Sequence, residues 1–230
     1  MKNVIVTGAS SGIGEATAVG LANAGWEVTG IARQFGANHK GKMRGVSLDL
    51  SDIDTLSQAL KELDLPTPHS LVLNAGVGLF GGLEQLSETQ IKRTLDLNLV
   101  SPILLIKHFL PKMKLNSGGD IVLVGSEAAL AGAKQGAVYC ASKFALRGFA
   151  QSLRADCAKA GIRVILVNPG PTATDFFDDL HFEPKAGENN VLQAEDVASV
   201  IVNALSSPGN VVHEEINVQP MTRSFQTKAK

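Results

Sequence analysis

Three residues of the chain have the types and spacing for acid–base chemistry, namely Ser126, Tyr139 and Lys143. Tyr139 is the only tyrosine, and Lys143 follows it by four positions, which places both side chains on one face of a helix. A phenol has an ordinary pKa of about 10, and a nearby ammonium lowers that pKa because it favours the phenolate. Ser126 follows an apolar, strand-like run, and α/β sheets bind ligands at the carboxyl ends of their strands. These residue types match what carbonyl reduction by hydride needs, with Tyr139 as general acid/base, Lys143 tuning its pKa and Ser126 hydrogen-bonding the substrate.

A glycine-rich string lies near the start of the chain, where residues 7–14 read TGASSGIG. A tight turn from a strand into a helix needs glycines, and a pyrophosphate can approach the backbone only where no Cβ intervenes. The helix that follows offers free N–H groups and the positive end of its dipole to phosphates. An ordinary strand-to-helix turn is the alternative interpretation of such a string. The candidate phosphate-binding residues are Gly8, Ser10, Ser11, Gly12, Ile13 and Gly14.

The elements that would position these residues alternate along the chain. The apolar runs that predict strands are 4–7, 28–32, 44–48, 70–73, 120–124, 163–167 and 216–218. The helical patterns are 14–23, 53–63, 88–113, 139–160 and 194–206. Continuous rather than alternating apolar runs are typical of strands buried on both faces, so we predict a doubly wound α/β fold with a seven-stranded parallel sheet. Pro102 predicts a kink near residues 98–101, and the crossover between Arg33 and Met43 is too short for a full helix.

Composition excludes several classes of protein. With 44% hydrophobic residues the 230-residue chain can form one core, and a net charge of -1 gives no general attraction to nucleic acid or to anionic membranes. The longest apolar stretch, residues 95–110, is too interrupted to span a bilayer. Strand-like residues begin at Asn3, which leaves no room for a signal peptide, and two cysteines suggest a reducing compartment. The histidines and cysteines show no metal-ligand spacing. We therefore expect a cytoplasmic, single-domain protein over residues 1–230, without a metal and with a short flexible tail at 226–230.

Taken in order, these motifs resemble those of the short-chain dehydrogenase/reductase family, in its short single-domain branch. Residues 7–14 have that family's glycine spacing, residues 73–76 (LNAG) resemble its Asn-Asn-Ala-Gly motif, and residues 168–170 (NPG) resemble its Pro-Gly motif. Ser126 precedes Tyr139 by thirteen positions, which is the family's usual gap. The resemblance covers essentially the whole chain.

The resemblance implies further roles. Lys143 would also hold the nicotinamide ribose together with Tyr139, and Asn98 would hold a water that links Lys143 to solvent. The other implied cofactor contacts are Asp49 and Leu50 at the adenine, Asn74, Ala75 and Gly76 at its ribose, and Pro169, Gly170, Thr172 and Thr174 at the nicotinamide. Relatives more often have Val or Ile at the position of Thr172, so we expect its contact to be through the backbone. Each catalytic candidate also has a structural interpretation: Tyr139 in the core, Ser126 as a strand-end cap, Lys143 as a solvated charge and Asn98 as a cap in a bent helix.

The cofactor preference depends on the end of the second strand, where residues 31–33 read IAR. NAD-preferring sites place a carboxylate there to hold the ribose 2′-OH, whereas a guanidinium pairs with a 2′-phosphate. Arg33 is similar to the arginine of NADP-preferring relatives, although Ser11 stands where many of them carry a second cation. We therefore expect NADP(H), with NAD(H) as the alternative cofactor and a plain surface charge as the alternative role of Arg33. The neighbouring Lys40, Lys42 and Arg44 form too small a cluster to bind nucleic acid.

The substrate is expected to be a small carbonyl or alcohol compound covered by residues 175–190. That segment mixes Phe176, Phe177, Leu180 and Phe182 with acidic residues, so it is either a lid over an apolar substrate or an amphipathic surface helix. Residues 77–80 and 127–129 are further pocket candidates. The apolar faces of helices 88–113 and 139–160 form a dimer interface in relatives, which implies a homodimer or homotetramer; burial within one subunit is the alternative. A dinucleotide-binding sensor without turnover is the alternative to an enzyme.

Overall fold

The computed structural model describes residues 2–36, 43–116, 118–187 and 189–228. Seven parallel strands form one sheet in the order β3-β2-β1-β4-β5-β6-β8. These strands are β1 (Asn3–Thr7), β2 (Glu27–Ala32), β3 (Arg44–Ser47), β4 (Ser70–Leu73), β5 (Gly119–Val124), β6 (Ile162–Pro169) and β8 (Glu215–Val218). The strand order reverses between β1 and β4, which opens a crevice at their carboxyl ends. The predicted doubly wound, seven-stranded parallel sheet in a single domain is confirmed.

Helices cover both faces of the sheet. They are α1 (Gly12–Asn23), α2 (Ile53–Glu62), α3 (Glu88–Leu95), α4 (Ser101–Leu115), α5 (Ala137–Cys157) and α6 (Ala194–Ser206). Successive strand residues point to opposite faces, so Ile5 belongs to one buried cluster while Val4 and Val6 belong to the other. The first cluster receives side chains from α2, α4 and α5, and the second receives them from α1 and α6.

The predicted helix 88–113 is interrupted as expected, although not by a simple proline kink. One turn of π-helix, Asp96–Val100, joins α3 to α4, and Pro102 lies in the first turn of α4. Proline has no N–H to donate to the preceding turn, so the chain widens there instead of breaking. Asn98 lies within this π-helical turn.

The carboxyl-terminal residues differ from the sequence prediction. Strand β7 (Phe182–Pro184) pairs in antiparallel fashion with β9 (Phe225–Thr227), and the two form a small separate ribbon. The prediction of a flexible tail at 226–230 is therefore wrong for Gln226 and Thr227, which are in a strand; residues 229–230 lie outside the described residues. The basic residues Lys40 and Lys42 and most of the short crossover between β2 and β3 also lie outside them.

Candidate active site

The predicted site residues converge on one cavity of about 790 Å³ at the carboxyl ends of the strands. The cavity is lined by the predicted residues Gly8, Ser10, Ser11, Gly12, Ile13, Arg33, Asp49, Leu50, Asn74, Ala75, Gly76, Ser126, Tyr139, Lys143, Pro169, Gly170, Thr172 and Thr174. Gly14 and Asn98 lie behind this surface and support it. Strands β1, β4, β5 and β6 therefore deliver their following residues to a single crevice.

The glycine turn is built for close backbone approach. Gly8 and Gly12 have φ angles of +66° and +54°, a conformation that residues with side chains rarely adopt. A Cβ on Gly14 would overlap the carbonyl oxygen of Gly8, so only glycine lets helix α1 start directly against the turn. Ser11 is the N-cap of α1, and its side chain makes no capping hydrogen bond, which leaves the first N–H groups of the helix for a ligand. This cradle fits the pyrophosphate of a dinucleotide.

The side chains of Asn74 and Thr174 pack against the glycine-rich turn from two sides. The Asn74 side-chain amide donates to the carbonyl oxygens of Thr7 and Gly8 at 3.2 and 3.4 Å, while the Thr7 hydroxyl accepts from the Asn74 backbone N–H at 3.0 Å. Across the crevice, the Thr174 methyl group would lie 2.9 Å from a Cβ placed on Gly12. The Thr172 hydroxyl donates to the Gly170 carbonyl at 3.0 Å, so its side chain is already occupied within the loop.

At the other end of the crevice, Asp49 faces two arginines. Asp49 accepts hydrogen bonds from the hydroxyl and the backbone N–H of Ser51, at 2.7 and 2.9 Å. These bonds lower the pKa of Asp49, and the nearby positive charges of Arg33 and Arg93 lower it further. Arg93, on α3, also lines the cavity and was not predicted from the sequence. Its only sequence signal was a cation three residues after the capping pair Ser87 and Gln90, which is too common to single out.

Tyr139 lies in the first turn of α5 and is 6% exposed. Burial raises the pKa of its phenol to about 12, a hydrogen bond with the Ser126 side chain opposes that rise, and the neighbouring Cys140 and Glu127 add to it. The Ser126 hydroxyl also accepts from the Ala128 N–H at 3.1 Å, because Ser126 caps the short helical turn that follows β5. Capping is thus compatible with the position of Ser126 beside Tyr139.

Lys143 is buried one helical turn after Tyr139, with its Nζ 5.9 Å from the centre of the phenol ring. The ammonium donates to the carbonyl oxygen of Val124 at 3.0 Å, and burial lowers the pKa of Lys143 to about 8. The sequence predicted that Lys143 would lower the pKa of Tyr139. In this structure burial is the largest influence on the pKa of both groups, so the pKa of the phenol rises instead.

Asn98 is 1% exposed and is held by the loop that follows β4. Its side-chain amide donates to the Val77 carbonyl at 2.9 Å and to the Ser142 hydroxyl at 3.1 Å, and its oxygen accepts from the Val77 N–H at 2.9 Å. A Cβ on Gly76 would lie 3.1 Å from the Asn98 oxygen and 3.7 Å from Lys143 Nζ. The π-helical turn therefore brings Asn98 and Lys143 to the same glycine.

Aromatic side chains surround Tyr139 on the side away from the glycine turn. The rings of Phe80 and Phe176 lie 5.3 and 5.7 Å from the ring of Tyr139, between centres. Phe182 follows at 5.0 Å from Phe80, and Phe177 at 5.2 Å from Phe176. Residues 175–177 form only a single helical turn before β7, so the alternative of an amphipathic surface helix for residues 175–190 is wrong.

The carboxyl-terminal segment adds cavity residues that sequence reasoning missed. Arg223 and Phe225 line the cavity, although they follow the last strand of the main sheet. Arg223 forms an ion pair with Glu127 at 3.1 Å, and Phe225 contacts Phe182 with ring centres 5.7 Å apart. No local pattern marks these two residues, because their position depends on the pairing of β7 with β9.

Comparison with known proteins decides the family. The family model of the short chain dehydrogenases matches residues 2–184. This chain belongs to the short-chain dehydrogenases. It is therefore an oxidoreductase of that family, as its relatives and structural neighbours are.

Individual relatives of this short-chain dehydrogenase agree with that assignment. It is 32% identical over 197 residues to 17-beta-hydroxysteroid dehydrogenase type 1 of Homo sapiens. The aligned region covers 79% of this chain and 60% of the human protein. It is 34% identical over 245 residues to retinol dehydrogenase 8 of Bos taurus, covering 90% of this chain and 78% of the bovine protein.

A solved structure shows the same fold over nearly the whole length. The alcohol dehydrogenase of the archaeon Thermococcus sibiricus, complexed with 5-hydroxy-NADP, matches with a TM-score of 0.85 and 25% identity, covering 97% of this chain and 99% of that one. In the described residues of this short-chain dehydrogenase, no helix is both long and apolar enough to cross a bilayer. The same residues contain no group of three or more His, Cys, Asp or Glu side chains that could hold a metal ion.

Proposed function

We propose that this short-chain dehydrogenase is an NADP(H)-dependent oxidoreductase that interconverts a carbonyl compound and a secondary alcohol. The observation that carries this proposal is that Ser126, Tyr139 and Lys143 line one cavity, with Lys143 Nζ 5.9 Å from the centre of the phenol ring. The glycine turn lines the same cavity. A sensor that binds a dinucleotide without turnover has no need for this arrangement.

The proposed roles follow from the position of each group. In the reducing direction Ser126 donates a hydrogen bond to the carbonyl oxygen, and the Tyr139 phenol donates its proton to the same oxygen. When bound, the nicotinamide dinucleotide supplies the hydride to the carbonyl carbon. A phenol with a pKa of about 12 is protonated at neutral pH, which is the form that the reducing direction requires.

The phenol must then regain a proton. Burial brings the pKa of Lys143 to about 8, close to the working pH at which a group exchanges protons readily. Asn98 lies beside Lys143 at Gly76, in a π-helical turn whose wider hydrogen-bond spacing suits a bridging water. We propose that Lys143 returns the proton to Tyr139 and that Asn98 positions the water that connects Lys143 to solvent.

The cofactor would be held by the residues that line the crevice. The helix α1 N-terminus and residues 8–14 would hold the pyrophosphate, Asp49 and Leu50 the adenine, residues 74–76 its ribose, and Pro169, Gly170, Thr172 and Thr174 the nicotinamide. Arg33 would pair with the 2′-phosphate of NADP(H), and NAD(H) is the alternative cofactor.

Replacing Tyr139 by Phe tests the chemistry. Phenylalanine keeps the ring that packs on Phe80 and Phe176 but removes the proton donor. We expect NADPH consumption with a panel of ketones, aldehydes and diketones to fall by about 10²–10⁴-fold, because a general acid contributes that much. The Kd for NADPH, measured by its fluorescence, should stay within about 2-fold. Turnover that persists in Tyr139→Phe would contradict the proposal. Absence of turnover in the wild type together with a redox-dependent partner would favour the sensor.

Replacing Arg33 by Ala tests the cofactor preference. Loss of a charge-assisted contact to phosphate should weaken NADPH binding by about 10-fold or more, while NADH, which lacks the 2′-phosphate, should change by less than about 2-fold. Arg93→Ala is the matched control, because Arg93 is a second arginine near Asp49 in the same cavity. Equal losses for the two cofactors in Arg33→Ala would show that Arg33 does not select NADP(H).

The substrate side of the cavity supports an apolar substrate. Phe80, Phe176, Phe177 and Phe182 lie around Tyr139, and two relatives are named for a hydroxysteroid and a retinol. We propose that residues 175–190 cover this substrate. A homodimer or homotetramer is a further proposal from the family resemblance, and a cytoplasmic location is one from the composition. Light scattering of the purified protein would test the first, and fractionation of the source cells would test the second.

A further inference from the structure

Two of the last ten described residues of the chain, Arg223 and Phe225, line the proposed catalytic cavity. Residues 219–228, here called the C-terminal strap, follow strand β8. They pair with residues 175–190, here called the covering segment, through strands β9 and β7. The proposed reaction uses none of them. Their contacts fall into three groups, at the cavity floor, at the covering segment and at the aromatic side chains.

The first group of contacts joins the strap to the residue that follows Ser126. Arg223 forms an ion pair with Glu127, the residue directly after Ser126, at 3.1 Å. Burial raises the pKa of Glu127, and the facing Arg223 and Gln219 oppose that rise. A half-buried carboxylate needs a facing cation to stay charged, and the strap supplies Arg223 to Glu127.

The strap also fixes the covering segment along its length. The Thr222 N–H donates to the Asn189 carbonyl at 2.8 Å, and its hydroxyl donates to the Asn190 side chain at 2.6 Å. Strand β9 pairs with β7, and the Lys228 ammonium donates to the carbonyl oxygens of Phe177 and Asp178 at 2.6 and 2.9 Å. The strap therefore contacts the covering segment near both of its ends, at residues 177–178 and 189–190, and between them at β7.

Phe225 extends the group of aromatic side chains that lies around Tyr139. Its ring lies 5.7 Å from Phe182 and 6.5 Å from Phe177, measured between centres, and the side chain lines the cavity. Phe182 in turn contacts Phe80, which packs on Tyr139. A continuous path of ring contacts thus runs from the catalytic phenol to the strap.

We propose that the C-terminal strap is the outer wall of the substrate site and that Phe225 selects a carbonyl compound carrying a bulky, uncharged, apolar group. The inference rests on the proposed function for the identity of the reacting group. Arg223 and Glu127 are positioning residues, because they hold the strap against the residue that follows Ser126. A small ketone would reach Tyr139 without contacting Phe225, whereas a fused-ring ketone would extend to it.

Binding without turnover separates this inference from the proposed chemistry. With saturating NADP⁺ a ketone has no hydride to receive, so titration calorimetry of the full chain would measure the Kd for 2-acetylnaphthalene and for butan-2-one. We expect the wild type to bind the naphthyl ketone more tightly, and Phe225→Ala to weaken that binding by about 3- to 10-fold because aromatic contacts are lost. Met221→Ala is the matched control, since Met221 belongs to the same strap and is 86% exposed; its Kd should stay within about 2-fold.

Two outcomes would overturn the inference. One is equal affinity of Phe225→Ala and the wild type for the naphthyl ketone, and the other is binding of butan-2-one as tight as that of the naphthyl ketone. Neither outcome depends on turnover. Activity that persists in Tyr139→Phe would contradict the proposed function, but the comparison of ketone Kd values between the wild type and Phe225→Ala would remain valid.

The ion pair has its own test. Arg223→Gln removes the cation, whereas Arg223→Lys keeps it, and hydrogen exchange of the strap amides reports whether the strap stays in place. We expect exchange in residues 222–228 to rise about 2- to 5-fold in Arg223→Gln and to be restored in Arg223→Lys, with the KM for 2-acetylnaphthalene following the exchange while kcat is kept. Unchanged exchange in Arg223→Gln would show that the pair does not hold the strap.

Discussion

At the scale of single residues, the buried ammonium of Lys143 opposes folding. Burial lowers the pKa of Lys143 from 10.5 to about 8, which corresponds to about 3 kcal/mol. Lys143→Met should remove this cost and lose the charged hydrogen bond to Val124, worth about 2 kcal/mol, so its free energy of unfolding at pH 7 should rise by about 1 kcal/mol. The same variant should have lost its activity.

The pH dependence of that difference has a definite sign. Between pH 8 and 10.5 the unfolded chain binds more protons at this site than the folded chain does, so the stability contributed by Lys143 rises with pH. The advantage of Lys143→Met in urea unfolding should therefore be full below pH 8 and shrink towards pH 10.5. Lys107→Met, at an exposed position of α4, is the control and should change little. A Lys143→Met variant less stable than the wild type at pH 7 would contradict this account.

The sequence predicted that Tyr139 and Lys143 lie on one helical face, but it did not predict the direction in which the pKa of the phenol shifts. Spacing of four residues places two side chains on one helical face whatever surrounds them. Desolvation depends on what packs over both residues, and here that includes Phe80, Phe176 and the backbone at Val124. The direction of the phenol pKa was therefore accessible only from the folded structure.

At the scale of elements, the π-helical turn and the loop after β4 depend on one side chain. Asn98 satisfies both half-buried backbone groups of Val77 and donates to the buried Ser142 hydroxyl, so Asn98→Ala leaves these groups without this partner. We expect the free energy of unfolding to fall by about 2–4 kcal/mol, since each unsatisfied buried group costs about 1–3 kcal/mol. Chemical denaturation would measure it. Asn116→Ala, at the exposed end of α4, is the matched control; equal effects of the two substitutions would refute the role of Asn98.

Elements with strong local patterns were predictable, and the ribbon was not. The capping box of Ser87 and Gln90 starts α3 where the sequence predicted, and the parallel strands follow the continuous apolar runs. Strands β7 and β9 have three residues each, which is too short for a periodic pattern, and their central partners, Glu183 and Gln226, lie 43 positions apart. Such pairing is decided by tertiary contacts, so Arg223 and Phe225 were missed together with it.

At the scale of the whole molecule, the proposed catalytic site and a buried ion pair lie at opposite ends of the sheet. Asp120 and Arg163 are paired near the amino ends of β5 and β6, whereas the proposed catalytic residues follow the carboxyl ends. Arg163 also donates to the carbonyl oxygens of Leu205, Ser207, Pro208 and Val211, and Asp120 accepts from Ser70. The pair thus ties the start of two central strands to the chain that follows α6.

Asp120→Ala should therefore separate stability from function. It leaves the buried guanidinium of Arg163 without its carboxylate, and breaking a buried pair in this way costs about 3–5 kcal/mol. Glu214→Ala, which removes the exposed ion pair with Arg154, is the control and should cost less than about 1 kcal/mol. Below the melting temperature of the variant, the Kd for NADPH and the KM should match those of the wild type, because the substitution lies at the far end of the strands. A changed NADPH affinity with unchanged stability would mean that the two ends of the sheet are coupled rather than separate.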